Sequence, residues 1–253
     1  MLQQEPAQRI VVMIICIKGQ PRNSGLIKAL KALGVQIDIR IVEAVEPTDV
    51  SDKILFDLRI SSEYLLGRKI SDIEIATMLS HRKCYELLRK ENLPAAYILE
   101  DDIDFPRRDI DLLEPLKIVG RDRLRIVTLV RSPWSVWRRY KGLLKAIFPP
   151  PCASCYVINL KTANYALSFN PMGLADWPQW SHDVEYLYNE KFNVPIDITN
   201  SLIESSRAKL INDHNKWVLF HKSPLQPHVK KIWQFRYVVQ YRLLWKFKKL
   251  IFS

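Results

Sequence analysis

The sequence predicts an α/β domain with a mostly parallel central sheet. Residues 9–17 are Arg9 followed by a continuous run of apolar, mainly β-branched residues, which is typical of a strand covered on both faces. Apolar residues then recur at helical spacing over residues 23–33, and Gly34 stands where helices commonly end. Residues 36–42 form a second predicted strand, so the chain opens with a βαβ unit, which implies parallel strands.

The later elements follow from the same patterns. Ser71 and Glu74 have the S-x-x-E spacing of a capping box, which predicts a helix from there to about Lys90. Residues 48–68 are polar and mixed, and are predicted to hold a short helix and loops. The further predicted elements are strands at 95–99, 125–130 and 155–159 and a helix at 161–169. We expect one domain over residues 1–220 and a separate tail over 221–253.

Composition excludes one common way of binding phosphate. The chain has 253 residues and only 7 glycines, and neither G-x-G-x-x-G nor the P-loop pattern occurs. Hydrophobic residues make up 48% and charged residues 26%, as in a globular protein. If this protein binds phosphate, a metal ion or cationic side chains must hold it.

The acidic cluster Glu100, Asp101 and Asp102 comes directly after the strand at 95–99. Ligands of open α/β sheets bind beyond the carboxyl ends of the strands. Adjacent carboxylates repel one another, and Mn²⁺ or Mg²⁺ would remove that repulsion because hard cations prefer carboxylate oxygen. We therefore predict a metal site at these three residues. The alternative is a solvated acidic loop that caps a following helix.

Residues 68–81, which contain Glu74 and His81, together with the acids at 100–102, resemble the central signature of glycosyltransferase family 25. This family comprises lipopolysaccharide and lipooligosaccharide glycosyltransferases. In it, an acid opens a helix, a Ser-His pair follows within that helix, and a strand then runs into Glu-Asp-Asp. A looser resemblance extends over residues 10–206, where Ala153 replaces a usual glycine.

The resemblance implies a GT-A-like Rossmannoid domain that transfers galactose or glucose, with inversion, from a UDP-sugar to a lipid-linked saccharide such as lipopolysaccharide core or O-chain. A metal at Glu100, Asp101 and Asp102 would neutralise charge on the departing diphosphate. A phosphohydrolase or nuclease could use the same carboxylates, but it would need further acids at other strand ends, where Arg131 stands instead. A non-catalytic membrane-docking protein is the remaining alternative.

The residues expected to bind the donor are the acids of the acidic cluster and three cationic or titratable side chains, His81, Arg22 and Arg131. His81 could bond the donor phosphate or orient a carboxylate of the acidic cluster, and its alternative role is that of an ordinary buried histidine. Arg22 follows the first strand and Arg131 follows the strand at 125–130, so both are candidates for contact with the nucleotide. Glu74 is already explained by helix capping.

The catalytic base that an inverting transfer requires is expected at Asp176 or Asp183, with Asp176 preferred by its position in the family pattern. Trp177 and Trp180 lie between them and could stack on a sugar ring. The alternative is that these tryptophans belong to the core and that Asp183 caps a helix over residues 184–190.

Most of the net charge of +11 resides in the tail, because residues 228–253 hold seven Lys and Arg and no acid. Aromatic residues are interspersed with these cations, as in helices that lie on anionic membranes. We predict a membrane-associating helix, a cytoplasmic protein at the inner face of the cell membrane, and no nucleic-acid partner. The tail could alternatively pack on the domain or bind a polyanionic nucleic acid.

Overall fold

A computed structural model describes residues 10–19, 23–66, 70–103, 111–131, 135–147, 149–150, 153–176, 178–192 and 194. Its strands are β1 (Ile10–Cys16), β2 (Ile37–Glu43), β3 (Ala95–Glu100), β4 (Arg125–Thr128), β5 (Trp137–Tyr140), β6 (Leu143–Ala146), β7 (Cys155–Asn159) and β8 (Glu185–Tyr188). Its α-helices are α1 (Asn23–Ala32), α2 (Asp52–Leu66), α3 (Asp72–Lys90), α4 (Leu113–Val119) and α5 (Leu160–Leu167).

All eight strands belong to one sheet with the order β2-β1-β3-β7-β4-β8-β6-β5. Only β1–β2, β1–β3 and β4–β8 are parallel pairs, while the other four pairs are antiparallel. The α/β class is confirmed, but the prediction of a mostly parallel sheet is wrong. A buried strand has the same apolar pattern in either direction, so the pattern could not show that β7 runs against both of its neighbours.

The first part of the chain folds as predicted. β1, α1 and β2 form the expected parallel unit, and Gly34 has a positive φ of +68° just past the helix, where a Cβ would be strained. At the start of α3 the Ser71 hydroxyl accepts from the Glu74 backbone N–H, and the Glu74 carboxylate accepts from the Ser71 N–H. The capping box therefore sets the beginning of the helix that carries His81.

Two segments differ from expectation. Residues 52–66 form one continuous helix, α2, because its buried face packs Leu55 and Leu66 into a cluster with Ile70. Residues 185–188 form a buried strand and not a helix, since β8 pairs with β4 in parallel. Burial between β4 and β6 overrides the weak helical pattern there.

The core lies on both faces of the sheet, as the period of two along each strand requires. In β1, Val12 and Ile14 face a cluster that includes residues of α1 and α4, whereas Val11 and Met13 face residues of α3 and α5. Full burial of each such side chain contributes about 1.5–3 kcal/mol. The sheet is thus held between two helical layers.

Several predictions fall outside the described residues. Arg22, Trp177 and the whole tail at 221–253 are among them, so the predicted domain boundary and the tail helix stay predictions. Within the described ranges, no helix has the length and apolarity that a membrane crossing requires.

Candidate active site

The acidic cluster lies where β3 ends against β7. The two strands are antiparallel, so the last residues of β3 meet the first residues of β7, and Leu99 pairs with Cys155. The Glu100 N–H donates to the Ser154 carbonyl at 2.8 Å. Glu100, Asp101 and Asp102 therefore lie at the carboxyl edge of β1, β2 and β3, as the sequence predicted.

His81 reaches this edge from the middle of α3 and is 1% exposed. Its Nε2 lies 3.1 Å from Glu100 Oε1, and its Nδ1 lies 2.8 Å from the Tyr156 hydroxyl. Both ring nitrogens are thus engaged by protein groups. The geometry agrees both with a histidine that orients a carboxylate of the acidic cluster and with an ordinary buried histidine, whereas neither ring nitrogen is left for a donor phosphate.

A second tyrosine extends this hydrogen-bonded chain. The Tyr85 hydroxyl lies 2.8 Å from that of Tyr156, and both side chains are buried. Burial raises the pKa of both phenols, so the hydroxyls keep their protons at neutral pH. Tyr85, Tyr156, His81 and Glu100 therefore form a continuous hydrogen-bonded chain from α3 through β7 to the end of β3. We name it the Tyr-His-Glu chain.

Asp101 and Asp102 follow as partly exposed side chains, each with one buried carboxylate oxygen, Oδ2 of Asp101 and Oδ1 of Asp102. Carboxylate oxygen is the donor that Mn²⁺ and Mg²⁺ prefer, so the chemistry of these groups fits such an ion. No set of three or more His, Cys, Asp or Glu side chains is arranged to hold a metal within the described parts of the chain. A bound ion would therefore need ligands from substrate phosphate and water as well.

Asp176 lies at the same edge as the acidic cluster. Its Oδ1 accepts from the Ala153 N–H at 2.6 Å, one residue before the Ser154 carbonyl that binds Glu100. Asp176 also lines a small cavity together with Tyr85 and Tyr156. The loop that enters β7 thus brings a candidate base beside the acids, although the two are far apart in sequence.

Asp183 lies toward the opposite ends of the strands, at the level where β3 begins. It precedes β8, whose Tyr186 pairs with Ile126 and is level, through Ile158 of β7, with Ala96 near the start of β3. Four residues separate that level from Glu100, or about 13 Å along a strand. Asp183 is exposed and accepts from the Tyr165 hydroxyl at 2.9 Å.

Arg131 lies at the carboxyl edge of β4. The Leu129 N–H donates to the Cys155 carbonyl, and Cys155 pairs with Leu99, so Arg131 is level with Asp101. Two strand spacings separate β3 from β4, or about 10 Å. The guanidinium is exposed and lies 3.9 Å from the Glu190 carboxylate. Arg131 therefore shares the edge of the acidic cluster without contacting it.

The remaining candidates have structural surroundings. Glu74 is 2% exposed within the capping box, and Trp180 is 6% exposed and packs edge-on against Tyr85. Their positions match the capping and core alternatives. Sequence reasoning missed Tyr85 and Tyr156. One signal was available, because Tyr85 lies four residues after His81 and so on the same face of α3.

Residues 10–117 match the sequence model of glycosyltransferase family 25 (LPS biosynthesis protein). The predicted resemblance to that family is confirmed over this range. The matched range contains His81 and the acidic cluster and ends before Arg131 and Asp176. This family match supports the interpretation of the protein as a glycosyltransferase. No curated protein matches the chain.

Among solved structures, mannose-1-phosphate geranyltransferase from Thermus thermophilus is 10% identical, with 75% of this chain and 76% of that chain covered and a TM-score of 0.39. Mouse xyloside xylosyltransferase 1 is 11% identical, with 64% and 72% covered and a TM-score of 0.35. Similarity this low carries no functional argument.

Proposed function

We propose that the protein transfers a hexose, galactose or glucose, from a UDP-sugar to a lipid-linked saccharide, in a GT-A-like domain. The observation that carries this proposal is the contact between His81 and Glu100 at the end of β3. Asp101 and Asp102 follow directly, inside the range that matches the glycosyltransferase family. A buried histidine in contact with the first acid of the cluster would hold that carboxylate in place, as the neighbours of metal-binding carboxylates do.

Asp101 and Asp102, with Glu100 beside them, would hold Mn²⁺ or Mg²⁺. The ion would supply positive charge to the departing diphosphate. Arg131 provides a permanent positive charge at the same edge, about 10 Å away between strand axes, and would stabilise the donor from the β4 side. Because both nitrogens of His81 are engaged, this side chain would act through Glu100 and not on the phosphate.

Asp176 would take the proton of the acceptor hydroxyl. The hydrogen bond from the Ala153 N–H holds its carboxylate at the edge where the acidic cluster lies. A general base must be positioned within hydrogen-bond reach of the proton it abstracts, and an anchored carboxylate meets this requirement better than an exposed one. Asp183 is the weaker candidate because it lies toward the opposite edge.

A donor screen tests the activity. UDP-galactose, UDP-glucose and other sugar nucleotides are incubated with the full-length protein, with and without Mn²⁺, and release of the nucleoside diphosphate is measured. We expect release from a UDP-hexose that stops when a chelator is added. Release from no sugar nucleotide would contradict the proposed activity.

Metal binding has its own readout, which does not depend on turnover. Titration of Mn²⁺ with the wild-type protein, followed by electron paramagnetic resonance in the presence of UDP, should show saturable binding. Substitution of both Asp101 and Asp102 by Asn should abolish the saturation, while Asp183→Asn should preserve it. Equal binding by all three proteins would remove the metal from the proposal.

The basic tail would hold the enzyme at the inner face of the cell membrane, where a lipid-linked acceptor lies. Vesicle flotation with phosphatidylglycerol and with phosphatidylcholine tests this role. We expect binding to the anionic vesicles only, and weaker binding as salt screens the charges. Replacement of Lys246, Lys248 and Lys249 by Gln should reduce it. Binding that ignores salt would contradict the membrane role without affecting the proposed enzyme activity.

A further inference from the structure

We propose that Tyr156 and Tyr85 are positioning residues of the active site. In this proposal the Tyr156 hydroxyl donates to Nδ1 of His81 and fixes the position of the ring, and His81 in turn holds the Glu100 carboxylate beside Asp101. The proposal rests on the proposed function, since it assigns these residues to that same site.

The geometry of the Tyr-His-Glu chain carries the inference. Its three contacts measure 2.8 Å between the two hydroxyls, 2.8 Å from Tyr156 to Nδ1 and 3.1 Å from Nε2 to Glu100. The rings of His81 and Tyr156 are stacked, with centroids 5.7 Å apart. His81, Tyr85 and Tyr156 are all buried, so the chain is shielded from bulk solvent.

The direction of these hydrogen bonds follows from the chemistry of the two ends. An ionised Glu100 only accepts, so His81 Nε2 must donate. In a neutral ring Nδ1 then accepts, and Tyr156 is the group that donates to it. The oxygen of Tyr156 can accept in turn from the hydroxyl of Tyr85. Every contact in the chain then has one donor and one acceptor.

Loss of the Tyr156 hydroxyl would leave the Nδ1 lone pair of His81 without its donor in a buried site. The imidazole would then lose one of the two hydrogen bonds that fix its orientation, and its contact with the Glu100 carboxylate would weaken. The effect would reach Asp101 and Asp102 through the backbone although no substrate contact is lost.

Another buried tyrosine, Tyr97 on β3, provides a matched control. Its hydroxyl donates to the Leu112 carbonyl on the other face of the sheet. Tyr97→Phe and Tyr156→Phe each remove one buried tyrosine hydroxyl. Only Tyr156→Phe disturbs His81, so the pair separates a positioning effect from a general loss of stability.

The first experiment compares steady-state kinetics of these two variants with the screened donor. We expect Tyr156→Phe to lower kcat about 10- to 100-fold, as loss of a group that orients a site residue does, with little change in donor KM. Tyr97→Phe should retain activity within about threefold at a similar melting temperature. Equal losses in both variants would overturn the proposal.

A double-mutant cycle tests whether Tyr156 acts through His81. In His81→Gln the amide nitrogen can donate to Glu100 in place of Nε2, and it does so whether or not Tyr156 is present. We expect this variant to keep part of the activity, and Tyr156→Phe to cost less than about twofold in its background. A full effect of Tyr156→Phe in both backgrounds would show that Tyr156 acts on something other than His81.

A spectroscopic measurement distinguishes failure of this proposal from failure of the proposed function. In ¹⁵N-histidine NMR, His81 of the wild-type protein should show a protonated Nε2 and an unprotonated Nδ1, and Tyr156→Phe should shift the Nδ1 resonance because that nitrogen loses its hydrogen-bond donor. The reading requires no substrate, so it holds even if no sugar nucleotide is turned over. An Nδ1–H tautomer in the wild-type protein, or no change in the variant, would overturn the proposal.

Discussion

The two parts of the sheet differ in how their strands are arranged and in how they contribute to the site. In the parallel part, β2, β1 and β3 are parallel to one another. In the mixed part, formed by β7, β4, β8, β6 and β5, three of the four pairs are antiparallel, and the β3–β7 pair that joins the two parts is antiparallel as well. The candidate site lies at the boundary between them, where β3 meets β7. The parallel part provides the acidic cluster, and the mixed part provides Tyr156 and the anchor for Asp176.

The reversed direction of β7 is what brings these groups together. Because β7 is antiparallel to β3, its first residues lie at the edge where β3 ends. A parallel β7 would place Ala153 and Ser154 at the opposite edge, away from Glu100. The strand whose direction departs from the prediction is therefore the one that brings Ala153 and Tyr156 beside the acidic cluster.

The largest expected effect distinguishes Asp176, beside the acidic cluster, from Asp183, near the opposite ends of the strands. Asp176→Asn should lower kcat about 10²- to 10⁴-fold, because it removes the proposed base beside the acidic cluster. Asp183→Asn should change kcat less than about threefold, because Asp183 lies toward the other edge. Steady-state rates of both variants check this prediction, and the reverse ranking would assign the base to Asp183.

The next effect tests the acids contributed by the parallel part. Asp102→Asn should lower kcat about 10²- to 10³-fold, since it weakens stabilisation of the departing diphosphate. Circular dichroism should show an unchanged fold, because Asp102 follows the end of β3 and is partly exposed. If Asp102→Asn kept full turnover, the Asp102 carboxylate would have no part in the reaction.

A smaller effect concerns how the mixed part is held together. The carboxylate of Glu185 on β8 pairs with Arg125 on β4 and Lys145 on β6. Burial alone would raise the pKa of Glu185, but the hydrogen bonds from Lys145 and Arg125 outweigh it, so the pKa is lowered. This stabilisation is present above the pKa of the unfolded carboxyl and is lost as pH falls through the folded value.

Glu185→Gln should accordingly reduce the free energy of unfolding by about 1–3 kcal/mol at pH 7, and by less as the pH falls below about 4. Ile14→Ala in the parallel part is the matched comparison. It should cost about 2–5 kcal/mol at either pH, because apolar burial does not titrate. Urea unfolding at both pH values checks this pair, and equal pH dependence would contradict it.

The smallest expected effect concerns Arg131. Arg131→Gln should raise the donor KM about three- to tenfold with kcat less affected, because an exposed cation contributes modestly to binding a charged ligand. Arg138→Gln, at an exposed position on β5, is the control and should leave KM unchanged. The same change in both variants would indicate a general effect of net charge.

Local patterns in the sequence were sufficient to predict several elements of the fold and the position of the acidic cluster. The βαβ opening, the capping box at Ser71 and Glu74, and the acids at the end of β3 all depend on residues close together in the chain. Periodicity and capping report such short-range relations directly. The resemblance to glycosyltransferase family 25 also rested on these segments, and the confirmed match covers residues 10–117.

Only the tertiary structure decided the direction of β7, the strand at residues 185–188 and the partners of His81. Tyr156 lies 75 residues beyond His81, and Asp176 lies 23 residues beyond Ala153. Contacts of this kind depend on which strands become neighbours and in which direction they run. An apolar run of residues has the same pattern in a parallel and in an antiparallel pair. It therefore carries no information about which strand lies beside it or in which direction that strand runs.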